Sequence, residues 1–214
     1  MKKMRIFIAC DTRNLVKVKK IINQSQTNKI KIGYKFGLEF MNSKNGRAFL
    51  VKLRDKIIFV DLKLNDTVNT MLSAVKALSD IKINYLTVHI SSGLAALKAV
   101  KKISGPTKIV GVTTLTSLNN NDLKLIGYNK SVKNLVAHQA KLAKKANLDA
   151  LVCSPHEVSA VRKIFKKEII TPGVQIGKKN YDQKRSMEAK KVSADWLVIG
   201  RAISARGNIK KNIQ

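Results

Sequence analysis

The 214-residue sequence is poor in the residue types that mark several classes of protein. Its two cysteines, Cys10 and Cys153, are too few and too far apart for a disulfide framework or a zinc-finger spacing. No Gly/Ser-rich or Pro-rich linker divides the chain. No apolar run approaches the ~18 residues of a membrane span, and the N-terminal one, residues 6–10, is shorter than the apolar part of a secretory signal. We therefore expect a single domain, residues 1–214, in the cytoplasm.

Acidic residues are also scarce. Aspartate and glutamate number 13 against 42 lysines and arginines, which gives a formal net charge of +29. Nucleic-acid binders usually concentrate basic residues in a stripe, tail or motif, whereas here lysines are scattered and the longest basic runs are pairs. We interpret the charge as mainly compositional and expect no nucleic-acid partner. A positive field would nevertheless favour encounter with a phosphorylated substrate.

The chain alternates short apolar runs with amphipathic stretches. Apolar residues three and four apart indicate helices within residues 15–22, 68–78 and 135–148. The apolar runs, which predict strands, cover residues 6–10, 30–36, 57–62, 85–90, 108–114, 150–153, 168–171 and 196–199. Alternating strands and helices predict an α/β parallel sheet, and eight units predict a closed (β/α)8 TIM barrel. An open doubly wound sheet is the alternative, but it requires a glycine-rich turn after the first strand, and residues 11–14 contain no glycine.

Polar residues gather at the predicted carboxyl ends of the strands, where such barrels carry their active sites. The densest group lies within residues 61–66. Residues two apart on a strand face the same side, so Asp61 and Lys63 should point together into the barrel mouth. Asp66 follows one turn further on, and Lys35 can reach Asp61 from the neighbouring strand. Alternating charges would keep each group ionised although partly buried; the alternative is a salt-bridge network that only stabilises the barrel.

A second polar group follows the last two predicted strands. Residues 171–174, Thr-Pro-Gly-Val, open one loop, and Gly200 and Arg201 end the final strand. These two loops frequently form a phosphate site in such barrels. Gly200 would let the backbone approach an anion, and Arg201 can bind two phosphate oxygens. We predict no metal site, because no ligand cluster is formed by the three histidines: His89, His138 and His156.

Several of these segments resemble the orotidine 5′-phosphate decarboxylase family. Residues 61–70 are similar to that family's Asp-Leu-Lys-Phe-His-Asp-Ile-Pro-Asn-Thr, residues 88–93 to its Val-His-Ala-Ser-Gly-Gly, and residues 112–117 to its Val-Thr-Val-Leu-Thr-Ser. The likeness covers nearly the whole chain. The Asp-x-Lys-x-x-Asp core is shared with sugar-phosphate decarboxylases of the same superfamily, whereas the Leu-Thr-Ser, Thr-Pro-Gly-Val and Asp-Gln (182–183) elements favour the nucleotide enzyme.

The resemblance implies decarboxylation of orotidine 5′-monophosphate (OMP) to UMP, the last step of de novo pyrimidine synthesis, without cofactor or metal. Lys63 would donate the proton, Asp61 would lie beside the substrate carboxylate, and Lys35 would hold the charged groups and contact the ribose. Asp66 and Thr70 would reach into the partner's active site in a homodimer. The other implied substrate contacts are Asp11 to the ribose, Thr116 to the pyrimidine, and Gln183, Gly200 and Arg201 to the phosphate.

Two departures from the family pattern concern the same site. Asn65 and Val68 replace His and Pro, and we expect only local repacking because neither supplies a charge. Gln175 stands where many bacterial members have a phosphate-binding Arg. We keep Gln175 as a candidate substrate contact, although a neutral amide binds phosphate less strongly than a guanidinium does.

Two other functions remain open from the sequence. A Mg2+-dependent sugar-phosphate decarboxylase or synthase of the same superfamily would hold its metal through carboxylates and would lose activity with EDTA. A non-catalytic RNA-binding barrel would use the +29 charge, would bind RNA in a salt-sensitive way, and would not depend on Lys63.

Overall fold

The computed structural model describes residues 5–172, 174–175, 187–188, 193–200, 203 and 209, and it confirms the predicted barrel. Eight parallel strands pair in sequence order, and the last pairs with the first. The barrel strands are β1 (Arg5–Ala9), β2 (Lys31–Gly37), β3 (Ile58–Leu64), β4 (Tyr85–His89), β5 (Lys108–Val112), β6 (Ala150–Val152), β7 (Glu168–Thr171) and β10 (Trp196–Ile199). A separate two-stranded sheet contains β8 (Val174–Gln175) and β9 (Met187–Glu188).

Helices follow the strands as the periodicity predicts. The α-helices are α1 (Leu15–Gln24), α2 (Leu38–Met41), α3 (Gly46–Lys52), α4 (Val68–Ala77), α5 (Gly93–Ile103), α6 (Asn120–Leu125), α7 (Val132–Lys145) and α8 (Val158–Ile164). Short 3-10 turns span Ile90–Ser92 and Pro155–Glu157. Helix α7 begins three residues before its predicted start because the Ser131 side chain accepts a hydrogen bond from the Asn134 N–H and caps it. Within the described residues, no helix is both long and apolar enough to cross a membrane.

Large aromatic side chains fill the barrel interior. The Phe7 ring stacks on Trp196 with centroids 4.1 Å apart, and Phe59 packs against Phe7 at 4.8 Å. Gly33 provides the space, since a Cβ there would come within 2.6 Å of the Phe7 ring. A second, larger apolar cluster lies between the strands and the helices. The aromatic layer therefore closes the middle of the barrel, and a site can form only above or below it.

A network of ion pairs covers the amino ends of the strands. Glu168, which begins β7, pairs with Arg5 at 3.0 Å and with Lys108 at 3.1 Å, and it accepts a hydrogen bond from the Tyr85 hydroxyl at 2.9 Å. The Arg5 guanidinium also lies 5.0 Å from the centre of the Trp196 ring. These partners neutralise one another beneath the aromatic layer, whereas the carboxyl ends carry a different charged group.

Candidate active site

Four charged side chains meet at the carboxyl ends of β1, β2 and β3, and we call them the charge array: Asp11, Lys35, Asp61 and Lys63. Lys35 Nζ lies 2.9 Å from each carboxylate oxygen of Asp11 and 3.3 Å from Asp61 Oδ2. Asp61 Oδ1 in turn lies 2.9 Å from Lys63 Nζ. Carboxylates and ammonium groups therefore alternate, as the sequence predicts, but Asp11 rather than Asp66 is the second carboxylate.

Burial and charge act in opposite directions on the inner members of the array. Burial alone would raise the pKa of Asp61, but the Lys35 and Lys63 ammonium groups outweigh it and hold that pKa below its ordinary value. Burial would lower the pKa of Lys35, but Asp61 and Asp11 outweigh it and raise that pKa. Both groups are thus ionised at neutral pH although Lys35 is only 8% exposed. Lys63 is more open, with 34% of its side chain exposed, and it faces the mouth.

Lys63 reaches its position through an irregularity in β3. The pairing of β3 with β4 shifts between Val60 and Leu64, and the Lys63 φ is +51°, in the left-handed region. A non-glycine residue held there typically costs about 1–3 kcal/mol. The side chains of Asp61 and Lys63 point together, as alternation along a strand predicts, although the strand is irregular at Lys63. The Lys63 N–H donates to Thr87 Oγ1 at 2.7 Å.

Gly37 at the end of β2 makes room for the outer end of the array. A Cβ at this position would lie 2.7 Å from Asp11 Oδ1 and 3.5 Å from Lys35 Nζ. The first distance is too short for a Cβ unless the Asp11 carboxylate moves, so Gly37 makes room for that carboxylate in its observed position. The sequence gives one cue to it, a glycine directly after the predicted strand of residues 30–36.

Asp66 and Thr70 lie apart from the array in this chain. Both are exposed, in the turn before α4 and in its first turn. Asp66 Oδ1 accepts the Thr67 N–H at 2.7 Å, and the Thr70 hydroxyl is 3.1 Å from that of Thr67. No cation among the described residues pairs with Asp66. These two side chains therefore do not join the charge array of their own chain.

The rim continues on β4 and β5. His89 is half-buried, and its pKa is lowered by burial and then by the Lys63 charge, with Asp61 opposing. Thr116 is partly buried in the loop after β5. That loop is fixed at its start by Gln139 of α7, whose Oε1 accepts from the Thr114 N–H at 2.8 Å and from its hydroxyl at 3.1 Å. Sequence reasoning missed Gln139, which periodicity places among ordinary helix residues.

The predicted phosphate end is only partly described. Gly200 lies directly after β10, and among the described residues a Cβ there would meet only Ala9 Cβ at 3.5 Å, an ordinary contact. Gln183, Arg201 and the side chain of Gln175 lie outside the described residues. In the described part of the chain, no three His, Cys, Asp or Glu side chains are grouped to hold a metal ion.

Comparison with known proteins agrees with this arrangement. Residues 4–214 match the family described as Orotidine 5′-phosphate decarboxylase / HUMPS family. The chain belongs to this family. Its relatives there include the orotidine 5′-phosphate decarboxylase of Wolbachia pipientis subsp. Culex pipiens, which is 37% identical over 212 residues, covering 95% of this chain and 92% of that one. That of Aquifex aeolicus is 38% identical over 189 residues, covering 84% and 80%.

Solved structures of the decarboxylase family share the fold. The crystal structure of the enzyme from Lactobacillus acidophilus has a TM-score of 0.84 and 27% identity, covering 99% of this chain and 96% of that chain. The enzyme from Methanocaldococcus jannaschii, solved in complex with the inhibitor BMP, has a TM-score of 0.78. At 19% identity, the second comparison concerns the fold alone.

Proposed function

We propose that this chain decarboxylates OMP to UMP, with Lys63 as the proton donor. The observation that carries the proposal is the charge array at the carboxyl ends of the strands, in a member of the decarboxylase family. The active sites of such barrels lie at this face, so we interpret the array as catalytic rather than as only stabilising the barrel. Its one ammonium group that opens to the mouth is that of Lys63.

The chemistry follows from where the charges lie. Loss of CO2 breaks the bond to C6 of the pyrimidine and leaves its electron pair on that carbon. The Lys63 ammonium beside C6 would stabilise the developing negative charge and then transfer its proton to C6. Asp61, 2.9 Å from Lys63, would hold that ammonium in place. It would also repel the substrate carboxylate, and the repulsion would be relieved as CO2 leaves.

The other substrate contacts are proposed from the same positions. Asp11 and Lys35, at the ends of β1 and β2, would bind the ribose, and Thr116 would contact the pyrimidine. Gly200 would let the phosphate approach the backbone. In support, a Cβ at this position would meet no described atom closer than 3.5 Å, so packing among the described residues does not itself require a glycine. The phosphate site would be completed by Arg201, Gln183 and Gln175. The phosphate binds far from the reacting carbon, and its binding energy can drive closure of the active site.

We also propose that the working unit is a homodimer with shared sites. Asp66 and Thr70 are exposed at the mouth side of the barrel, and both would contact substrate bound to the partner subunit. Each complete site would then take Lys63 from one chain and Asp66 from the other. We place the enzyme in the cytoplasm, in keeping with Cys10 and Cys153, which are both buried and form no disulfide.

The decisive experiment is an ultraviolet assay for OMP loss with the wild type and Lys63→Ala. We expect Lys63→Ala to lower kcat/KM by about 10⁴-fold or more, because it removes both the proton donor and the electrostatic partner of the carbanion. Lys17→Ala, at an exposed position of α1, is the matched control and should retain wild-type turnover. Thermal unfolding followed by circular dichroism checks that both variants fold.

Three results would refute the proposal. A folded Lys63→Ala variant with near-normal turnover would remove Lys63 from the chemistry. A wild type that ignores OMP, turns over a sugar phosphate and stops in EDTA would instead favour the Mg2+-dependent branch of the superfamily. Salt-sensitive RNA binding without turnover would favour the RNA-binding barrel.

A further inference from the structure

We infer that Thr87 is a positioning residue for both Lys63 and Asp61, acting through a single hydroxyl. This inference rests on the proposed function and adds a residue to it. Thr87 lies in the middle of β4, between Leu86 and Val88, and is fully buried. By sequence it resembles an ordinary core residue of a strand, and none of the motifs that indicate the decarboxylase family includes it.

The hydroxyl of Thr87 makes two hydrogen bonds of opposite sense. Oγ1 accepts the backbone N–H of Lys63 at 2.7 Å, and it donates to Asp61 Oδ1 at 3.1 Å. A hydroxyl is the smallest side-chain group that can accept and donate from one atom. Asp61 Oδ1 is also the oxygen that lies 2.9 Å from Lys63 Nζ. The hydroxyl thus joins the backbone of the proton donor to the carboxylate that holds its ammonium.

The irregularity of β3 explains why such a bond is needed. Between Val60 and Leu64 the regular pairing with β4 is interrupted, so the ladder does not fix the Lys63 backbone. Lys63 also has a φ of +51°, a conformation that surrounding contacts must hold in place. The Thr87 hydroxyl replaces the missing ladder bond at this residue. Without it, we expect the Lys63 backbone to relax and its ammonium to move relative to C6.

The experiment compares three substitutions of Thr87 by steady-state kinetics with OMP. Thr87→Val keeps the shape and removes the hydroxyl, and we expect kcat to fall about 100-fold, the scale of effect for a reacting group displaced by about 1 Å. KM and the Kd of UMP, measured by calorimetry, should stay near wild type because the ribose and phosphate contacts remain. Thr87→Ser keeps the hydroxyl and should restore most of kcat. Thr87→Cys, a weak donor and acceptor, should fall between Val and Ser.

The matched control is Thr107→Val. Thr107 is a partly buried threonine whose hydroxyl, like that of Thr87, donates a hydrogen bond, here to the backbone carbonyl of Ile83 at 3.0 Å. It precedes β5 at the opposite end of the barrel. We expect Thr107→Val to lower thermal stability without changing kcat. If both variants lose stability but only Thr87→Val loses kcat, the fall in kcat is specific to Thr87.

Each outcome separates this inference from the proposed function. If the wild type binds UMP but does not decarboxylate OMP, the proposed function fails. If the wild type is active and folded Thr87→Val has wild-type kcat, or if Thr87→Ser is as impaired as Thr87→Val, only the positioning role fails. Should Thr87→Val not fold, Thr87→Cys decides, and a kcat equal to that of Thr87→Ser would overturn the inference.

Discussion

At the scale of single residues, the outer end of the charge array depends on the lack of a side chain at one position. Gly37 has no Cβ, and the Asp11 carboxylate occupies that space with an oxygen 2.7 Å from where a Cβ would stand. Lys35 is bound by both oxygens of this carboxylate. The Asp11 side chain is nearly half exposed, so it can move outward, whereas Lys35 is held inside by Asp61.

We predict that Gly37→Ala displaces Asp11 and leaves the rest of the array in place. The loss of a charged hydrogen-bond partner corresponds to about 1.5–3 kcal/mol, so kcat/KM for OMP should fall by roughly 10-fold or more, mostly through KM. A double-mutant cycle provides the control. In an Asp11→Ala background, Gly37→Ala should have little further effect; fully additive losses would show that Gly37 acts on something other than Asp11.

At the scale of elements, the strands were predictable and the irregularity in one of them was not. Runs of Ile, Val and Phe such as residues 57–62 mark buried strands whatever their partners are. Alternation then places Asp61 in the mouth correctly, because the interior residues Ile57, Phe59 and Asp61 keep a period of two. The same period includes Lys63, whose ammonium lies 2.9 Å from Asp61. The pattern gives no sign, however, of the shift against β4, of the positive φ, or of the hydrogen bond from the Lys63 N–H to Thr87, 24 residues away. Local pattern holds no signal for such a contact.

The amino ends of the strands yield a prediction about stability. Burial would raise the pKa of Glu168, but hydrogen bonds from Tyr85 and Lys108 and the charge of Lys108 lower it below its ordinary 4.5. The folded state therefore binds fewer protons than the unfolded state near that pH. The stabilisation is present above pH 4.5 and is lost as pH falls through the lowered value. Asp61, whose pKa is also lowered, acts in the same direction.

We accordingly expect Glu168→Gln to reduce the free energy of unfolding at pH 7 by about 2 kcal/mol and to flatten its decline in acid. Urea unfolding from pH 7 to pH 3 measures both effects. Asp80→Asn is the control, since Asp80 pairs with Arg47 at an exposed position, where such a pair contributes about 0–1 kcal/mol. A Glu168→Gln variant as stable and as acid-sensitive as the wild type would contradict this account. We expect Glu168→Gln to keep the kcat of the wild type, because the aromatic layer separates Glu168 from the mouth of the barrel.

At the scale of the whole molecule, the proposed homodimer predicts that Asp66 serves the active site of the partner subunit. Lys63→Ala and Asp66→Asn subunits should each be inactive as pure dimers. In a mixed dimer, one site collects both substitutions and the other is intact, so an equal mixture should recover about one quarter of wild-type activity. Activity is measured before and after subunit exchange. The exchange itself is followed by adding a tag to one variant, so that mixed dimers differ in size from pure ones. If exchange occurs and no activity returns, Asp66 serves the site of its own chain.

The left-handed turn of the chain at Lys63 also bears on protein design. A designer who copied the four charged side chains of the mouth onto the regular strands of another barrel would reproduce their composition but not the placement of the ammonium. The transferable unit is larger: the seven residues of β3 with their shift against β4, together with a strand that offers a hydroxyl at the position of Thr87. Grafting of this chemistry therefore begins with the backbone and only then adds the side chains.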